Sequence, residues 1–316
     1  MILFVFARTG YLLILFLTIF EVKIITMLSI NPNEISVAKL HGYLLGSVAP
    51  RPIAFASTVD TEGNPNLAPF SFFNVFSANP PIMVFSPARS VKDNTTKHTL
   101  DNCIATKEVV INVVNYDMAH QMSLASTAYK QGVNEFEKSG FTMLASEKIA
   151  PFRVAESPVQ FECIVKEVVA LGNEGGAGNM IICEVVKVHI QEDILDNEGR
   201  IDQYKIDLIA RAGGSFYSRA KEGFFEIPKP IATLGIGVDA IPAHIKNSKT
   251  LTGNDLGMLG NVEEMPSDEE ISMFKKQTME RCPHILEASQ EDIHKKAHDY
   301  LKKGDVATAW KILLIK

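Results

Sequence analysis

The sequence predicts a mainly β fold with inserted helices, arranged as an antiparallel barrel and followed by a helical C-terminal extension. Runs of β-forming residues dominate up to about residue 220. No segment of helical periodicity separates the long strands, as a repeating β-α-β order would require. Helix-start patterns become frequent only after residue 225. A doubly wound parallel sheet is therefore disfavoured, and an antiparallel barrel is preferred.

The first strands come before residue 90. Residues 52–59 alternate in polarity, and the turn formers at 60–65 predict a hairpin to a return strand at 66–73. Asn79-Pro80-Pro81 is expected to end this ladder, because proline lacks the backbone donor. A short buried strand is predicted at 82–86.

Helices and longer strands occupy the middle of the chain. Thr95 or Thr96 can cap a helix that runs to about residue 106. The pattern then predicts a strand, a helix and two long strands: 108–115, 117–126, 159–171 and 180–190. Residues 206–211 precede Gly213 and Gly214, which suit a close backbone approach. The glycine-rich stretch 172–178 predicts a turn, because it contains no lysine and no helix follows it as in a phosphate loop.

The composition changes after Phe225. Prolines and glycines are expected to keep a long connector irregular: Pro228, Pro230, Pro242, Gly253, Gly257 and Gly260. Ser267 and Ser289 are each followed three residues later by an acidic residue, which is typical of a helix start. A third helix is predicted around Trp310.

The chain thus divides into an apolar leader at 1–26, a barrel at 27–225 and a connector with a helical extension at 226–316. The leader holds only Arg8 as a charged residue up to Phe20, close to the ~20 residues of a membrane-spanning helix. It can be a membrane anchor, a signal peptide, or translated upstream sequence that is absent from the working protein.

Composition excludes several classes of protein. Of 316 residues, 46% are hydrophobic and 22% charged, which excludes a disordered, collagen-like or polytopic membrane chain. The net charge of -6 makes nucleic acid an unfavourable partner. The four cysteines form no C-x-x-C pair, so they predict neither a disulfide scaffold nor a zinc site, and a reduced cytoplasmic setting fits them.

Five segments together carry a family resemblance: GSVAPRPIAFASTVD at 46–60, NLAPFSFFNVFSANPP at 66–81, VFSPARS at 84–90, KHTLDNCIATKEVVIN at 97–112, and Arg211-Ala-Gly-Gly214 with Tyr217. In this order and spacing the sequence resembles the flavin reductase-like family. The resemblance covers about residues 27–225 and implies an FMN-binding split β-barrel that works as a homodimer.

The resemblance implies a phosphate site for FMN. Hydroxyls and cations at a helix start suit the phosphate, because free amides and the helix dipole point at the anion there. The candidate phosphate ligands are Ser86, Arg89, Lys97 and Thr99, with Lys92 or Thr95 as alternatives. The chain departs from the family pattern at His98, where aspartate is usual, and at Lys107, where glycine is common.

Other residues are expected to hold the flavin ring. Ser71 and Asn74 can bond to its polar edge. Arg51 lies between two prolines in a loop that approaches the flavin in the family, although a structural ion pair is an alternative. Arg211 and Tyr217 are carried over from the fifth segment. No residue is predicted to act as an acid, base, nucleophile or metal ligand.

The implied function is reduction of flavin by NADH or NADPH, with hydride passing to flavin N5. The G-x-G-x-x-G fingerprint is missing, so the nicotinamide is expected to bind by stacking on the flavin. Reduced flavin would pass to a partner monooxygenase or another acceptor. The alternatives are a non-enzymatic FMN-binding electron carrier on the same fold and, if the leader is real, a membrane-tethered redox component.

The remaining histidines are not expected to carry chemistry. His294 and His298 lie one helical turn apart, as metal ligands can, but without the glutamate of an H-E-x-x-H motif they predict a solvated helix face. His41, His120 and His189 are interpreted as structural or surface residues.

Overall fold

The computed structural model describes residues 27–228, 234–281 and 284–316. The chain divides into two compact units, with the boundary between Phe224 and Phe225. The apolar leader at 1–26 lies outside the described residues, as do Pro230 and Cys282.

The first unit contains eleven strands within the part of the chain that the structure describes. They are β1 Ala54–Val59, β2 Pro65–Phe70, β3 Phe73–Ala78, β4 Pro81–Phe85, β5 Glu108–Asn112, β6 Met143–Leu144, β7 Arg153–Val154, β8 Val159–Ala170, β9 Asn179–Ile190, β10 Ile209–Arg211 and β11 Tyr217–Arg219. Its α-helices are α1 Val37–Ser47, α2 His98–Thr106, α3 Ala119–Ala125, α4 Glu135–Ser139 and α5 Gln203–Ile206.

Seven strands form one sheet in the order β2-β1-β5-β8-β9-β4-β3. Every pairing in it is antiparallel, which confirms the predicted strand direction. The two edge strands, β2 and β3, are consecutive in the chain. Residues 71 and 72 therefore carry the chain from one edge of the sheet to the other.

The sheet encloses an apolar core against one face of α2. Every residue of β1 is buried. Leu100 and Cys103 of α2 pack among buried residues of β1, β4, β5, β8 and β9. Cys103, Cys163 and Cys183 are buried in this core, and burial raises the pKa of each thiol, as expected of packing residues.

The corrections to the predicted strands lie between residues 66 and 86. The return strand β2 ends at Phe70, and a separate strand, β3, follows it. The prediction that prolines end the ladder is wrong, because β3 pairs with β4 and Ala78 lies opposite Pro81. Pro80 lies in the turn and Pro81 begins β4, positions where a sheet tolerates proline.

Two helix starts also differ from prediction. Helix α1 precedes the first strand, where no helix was expected. Helix α2 begins at His98 with Lys97 as its N-cap, so neither Thr95 nor Thr96 caps it. Their hydroxyls donate instead to nearby carboxylates, Thr95 to Asp93 at 2.8 Å and Thr96 to Asp101 at 3.1 Å.

The second unit is helical and has its own core. Its helices are α6 Ala243–Lys246, α7 Gly253–Gly260, α8 Asp268–Arg281, α9 His284–Glu287, α10 Gln290–Leu301 and α11 Val306–Leu313. Trp310 is buried there and donates from its indole nitrogen to the Leu259 carbonyl at 3.1 Å. The amides of Glu270 and Asp292 donate to the hydroxyls of Ser267 and Ser289, which confirms both predicted helix starts.

The glycines of the connector do not keep it irregular. Residues 253–260 form α7, because Thr252 and Asp255 bond reciprocally in a capping box at its start. The prediction of a solvated face on α10 is also wrong. His294 is only 5% exposed, and His298 Nδ1 lies 2.9 Å from the buried Asp255 carboxylate.

Two further observations concern ligands and membranes. Within the described ranges, no helix combines the length and the apolarity that crossing a bilayer requires. In the same part of the chain, no group of three or more histidine, cysteine, aspartate or glutamate side chains is arranged to hold a metal ion.

A buried carboxylate fixes the loop before β8. Glu162 is fully buried and accepts hydrogen bonds from the amides of Glu147 at 2.9 Å and Lys148 at 2.7 Å. His189 Nε2 of β9 lies 2.7 Å from the same carboxylate. Burial raises the pKa of Glu162, but these bonds outweigh it, so that its pKa lies below the ordinary value.

We expect Glu162→Gln to lower the free energy of unfolding of the first unit by about 2 to 4 kcal/mol, because it removes a buried charge that three donors satisfy. A group whose folded pKa is lowered stabilises the fold above its unfolded pKa of about 4.3, and this contribution is lost as the pH falls through the folded pKa. The difference between wild type and variant should therefore shrink in acid. Urea unfolding followed by circular dichroism measures it.

Glu167→Gln is the matched control, since Glu167 is exposed on the same strand. Trp310, the only tryptophan, reports unfolding of the second unit separately. Equal unfolding midpoints for Glu162→Gln and Glu167→Gln would contradict the role given to the buried carboxylate.

Candidate functional site

The candidate site is built around the β2–β3 corner, which we define as residues 70–73. Three parts of the first unit meet there. Arg51 Nε donates to Ser71 Oγ at 3.4 Å, and the Ser86 amide donates to the Phe72 carbonyl at 2.9 Å. Phe70 also lines a cleft beside the start of α2.

Arg51 is the buried anchor of this corner. Its guanidinium donates to the carbonyls of Leu45 and Val48, at the end of α1, and to the Ala212 carbonyl at 3.4 Å. Burial, together with the nearby charge of Arg211, lowers its pKa. Among the described residues, Arg51 has no carboxylate partner. The alternative prediction of a structural ion pair is therefore wrong.

Arg211 and Tyr217 lie next to this anchor. The backbones of Arg51 and Arg211 exchange two hydrogen bonds, of 2.8 and 2.9 Å. The Arg211 guanidinium stacks on the Tyr217 ring at 4.7 Å and donates to the carbonyls of Gly214 and Phe216. The structure therefore brings together four predicted ring-site residues, Arg51, Ser71, Arg211 and Tyr217.

A cleft of about 200 Å³ lies beside the corner and is called the α2 cleft below. Its walls come from three segments and one acidic side chain: residues 66 and 68–70 of β2, residues 95–99 at the start of α2, residues 125–129 after α3, and Glu135 of α4. It contains the predicted phosphate ligands Lys97 and Thr99 and the alternative Thr95.

The start of α2 offers free donors to this cleft. The first amides of a helix have no partner within the helix, and among the described residues no side chain caps those of α2. Thr99 is buried and its Oγ1 accepts from Asn66 Nδ2 at 2.9 Å, which leaves the hydroxyl proton available to a ligand. Lys97 is exposed at the rim.

Two predicted phosphate ligands are placed outside this cleft. The Arg89 guanidinium donates to Asn94, at 2.7 Å to the side chain and 2.8 Å to the carbonyl. Ser86 Oγ is buried and has no hydrogen-bond partner among the described residues. It faces Gly178, where an added Cβ would lie 2.7 Å away. The alternative Lys92 does not line the cleft either.

Asn74 is also engaged locally. It lies exposed on β3, and its Oδ1 accepts from the Val75 amide at 2.8 Å. A different side-chain amide, that of Asn66, lies in the cleft and links β2 to Thr99 and to Thr58.

Several residues of the cleft were missed from the sequence. They are Asn66, Ser126, Thr127, Tyr129 and Glu135. Glu135 is buried, which raises the pKa of its carboxyl, and it accepts from the Leu67 amide at 3.1 Å. The hydroxyl-rich stretch 126–129 directly after α3 was the available signal, but nothing in its sequence indicates that it faces α2.

The donor set fits the anionic tail of FMN. An uncapped helix start, a hydroxyl with a free proton and a lysine at the rim are the groups that a phosphate requires. The adjoining β2–β3 corner offers a hydroxyl and backbone groups that could bond to the polar edge of a ring.

Comparison with known proteins identifies a family for the first unit. Residues 45–205 match the sequence model of the family described as flavin reductase like domain. Nitrilotriacetate monooxygenase component B from Bacillus cereus is 32% identical with a TM-score of 0.60, and the match covers 64% of this chain and 99% of that protein.

Two further structures are similar. 2-Nitrobenzoate 2-nitroreductase from Pseudomonas fluorescens is 26% identical with a TM-score of 0.59, covering 66% of this chain and 100% of that one. A protein from Shewanella frigidimarina, described as having a split barrel domain, is 25% identical with a TM-score of 0.53, covering 62% and 95%. The match to the family ends before the second unit begins.

We expect Arg51→Ala to lower the free energy of unfolding of the first unit by about 2 to 3 kcal/mol, because it leaves the carbonyls of Leu45 and Val48 without their donor. Urea unfolding measures this loss. Arg200→Ala is the control, since Arg200 is exposed and pairs only with surface carboxylates. Equal effects of the two substitutions would show that Arg51 does not anchor the corner.

Proposed function

Because this chain belongs to the flavin reductase-like family and shares its split-barrel fold, we propose that it is an NAD(P)H-dependent oxidoreductase that binds FMN in the α2 cleft. The observation that carries this proposal is the uncapped start of α2, which opens into a cleft containing Lys97 and Thr99 beside the β2–β3 corner.

Each part of the site has a separate task in this proposal. Lys97, the Thr99 hydroxyl and the first amides of α2 hold the phosphate. Ser71, kept in place by Arg51, bonds to the polar edge of the ring. Arg211 and Tyr217 close the side of the corner next to Arg51.

The chemistry that FMN supplies when bound is acceptance of a hydride from NADH or NADPH at N5. This chemistry asks little of the side chains beyond position and exclusion of water. Phe70, Phe73 and Phe85 pack around the inner side of the corner and keep water from it. No acid or base is assigned, since hydride transfer to a flavin needs none from the protein.

The names of two similar proteins support proposals about the electron acceptor. The Bacillus cereus protein is named as one component of a monooxygenase, which supports delivery of reduced flavin to a partner enzyme. The Pseudomonas fluorescens protein is named as a nitroreductase, which supports reduction of a second small substrate at the same site. Both are oxidoreductase roles, unlike the carrier alternative raised by the sequence.

We expect the protein to bind FMN and to oxidise NADH or NADPH steadily when FMN is in excess. Lys97→Ala should weaken FMN binding about tenfold or more, because a charge-assisted bond contributes about 1.5 to 3 kcal/mol. Flavin fluorescence quenching measures the affinity, and absorbance of the nicotinamide measures turnover.

Lys92→Ala is the matched control, because Lys92 is an exposed lysine of the preceding loop that does not line the cleft. Tight FMN binding without nicotinamide oxidation would support the electron carrier instead. Absence of binding to any flavin would refute the proposal as a whole.

We also propose that the protein works as a homodimer. The edge strand β3 leaves Val75 57% and Phe76 68% exposed. None of the residues of α1, all of which the structure describes, is buried, although the helix carries exposed Tyr43 and Leu44. His41 of α1 packs against Phe72 at 6.3 Å, so α1, the corner and β3 form one apolar surface. A second copy would cover it.

Phe76→Lys is therefore expected to convert a dimer into a monomer, because it introduces a charge into the apolar surface of the edge strand. Light scattering coupled to gel filtration measures the mass. Ile104→Lys is the control, since Ile104 is exposed on α2, away from β3. A wild-type protein that elutes as a monomer would rule the dimer out.

A further inference from the structure

His98 occupies a distinctive position in the α2 cleft. It is the first residue of α2 and is half-buried. Its side chain lines the α2 cleft and also a smaller cavity of about 30 Å³ on the other side of Asn66. Among the described residues at the start of α2, only His98 lines both cavities. Any anion bound at the helix start would therefore lie near this imidazole.

Four charged side chains share the two cavities with His98. Lys97 and Asp101 belong to α2 itself, and Asp60 approaches from the β1–β2 turn across the smaller cavity. Glu135 of α4 faces it from the far wall of the α2 cleft, close enough for the two charges to interact. Tyr129 also lines that wall. Asp101 accepts from Thr96, and Asp60 from Asn64, so both carboxylates are engaged locally.

The charges within the α2 cleft nearly cancel. Lys97 contributes a positive charge and the Glu135 carboxylate a negative one. With a neutral imidazole the walls have little net charge to attract a phosphate beyond the helix amides. A proton on His98 adds a positive charge at the helix start, where amides and dipole already favour an anion. The protonation state of His98 therefore decides whether the side chains of the cleft carry a net positive charge.

We propose that His98 makes recognition of the flavin phosphate depend on pH, so that the preference for FMN over riboflavin, taken relative to a protein that lacks this imidazole, rises as the solution becomes more acidic. This inference rests on the proposed function, since it assigns the α2 cleft to the phosphate. Its imidazolium donates a hydrogen bond to the phosphate, whereas the neutral ring leaves the contact to Lys97, Thr99 and the amides. Riboflavin lacks the phosphate and gains nothing from the proton.

The test compares the affinities for FMN and riboflavin at about pH 5.5 and about pH 8.5, on either side of the ordinary histidine pKa of ~6.5. Fluorescence quenching gives both dissociation constants without any turnover. The variants are His98→Gln, which cannot be protonated, and His98→Lys, which stays charged. His120→Gln is the matched control, because His120 is an exposed histidine of α3 that lines neither cavity.

The flavin phosphate itself gains a proton near pH 6, which weakens its charge in every variant alike. The informative quantity is therefore the preference for FMN relative to that of His98→Gln. In the wild type and His120→Gln this relative preference should rise about fivefold or more on going from the alkaline to the acidic condition. In His98→Lys it should be high at both.

The same dependence on pH in His98→Gln as in the wild type would overturn the inference while leaving the proposed function intact. A low preference for FMN in His98→Lys at both pH values would also overturn it. If neither the wild type nor any variant binds FMN or riboflavin at either pH, the proposed function fails, and this inference fails with it.

Discussion

The structure depends on one constraint, which is that the two edges of its main sheet are consecutive strands. The chain leaves β2 at Phe70 and must begin β3 at Phe73 on the far edge, with only two residues between them. Such a corner has few backbone partners of its own. The buried guanidinium of Arg51 adds a side-chain contact, since it ties the Ser71 hydroxyl to the end of α1 and to the Ala212 carbonyl. The candidate site depends on this corner, whose position these hydrogen bonds fix.

The same corner explains why the donors of the site converge. Strand β2 runs from Asn66, which is bonded to Thr99 of α2, to the corner that Arg51 holds. A ligand lying along β2 therefore meets the start of α2 at one end and Ser71 at the other. The length of β2, six residues at about 3.3 Å each, sets the separation of the two ends.

Strand directions, the long β8–β9 pair and the helix starts at Ser267 and Ser289 could be predicted from the sequence, because alternation and capping patterns are local. The corner could not, since Asn66 to Ala78 reads as one β-rich run and its bend depends on Arg51, which is distant in sequence. Within the site, Lys97 and Thr99 were predicted because they match the family's pattern at a helix start. Glu135 and residues 126–129 were missed because only tertiary folding brings them opposite α2. Arg89 was predicted from its charge, and its bonds to Asn94 depend on a loop geometry that no sequence pattern specifies.

The errors in the second unit have a related cause. A glycine-rich segment reads as irregular, yet α7 forms because the Thr252–Asp255 capping box starts it and because Leu259 packs into a core with Trp310. The buried Asp255 then accepts from His298, which turns this histidine of α10 towards α7 rather than to solvent. A single carboxylate thus starts one helix and fixes another. Burial raises the pKa of Asp255, but the hydrogen bonds from Thr252 and His298 lower it by more. The carboxylate therefore stays charged at neutral pH and keeps both contacts. A histidine that a sequence pattern assigns to the solvent-exposed face of a helix can therefore face the interior, where a buried carboxylate is available as its partner.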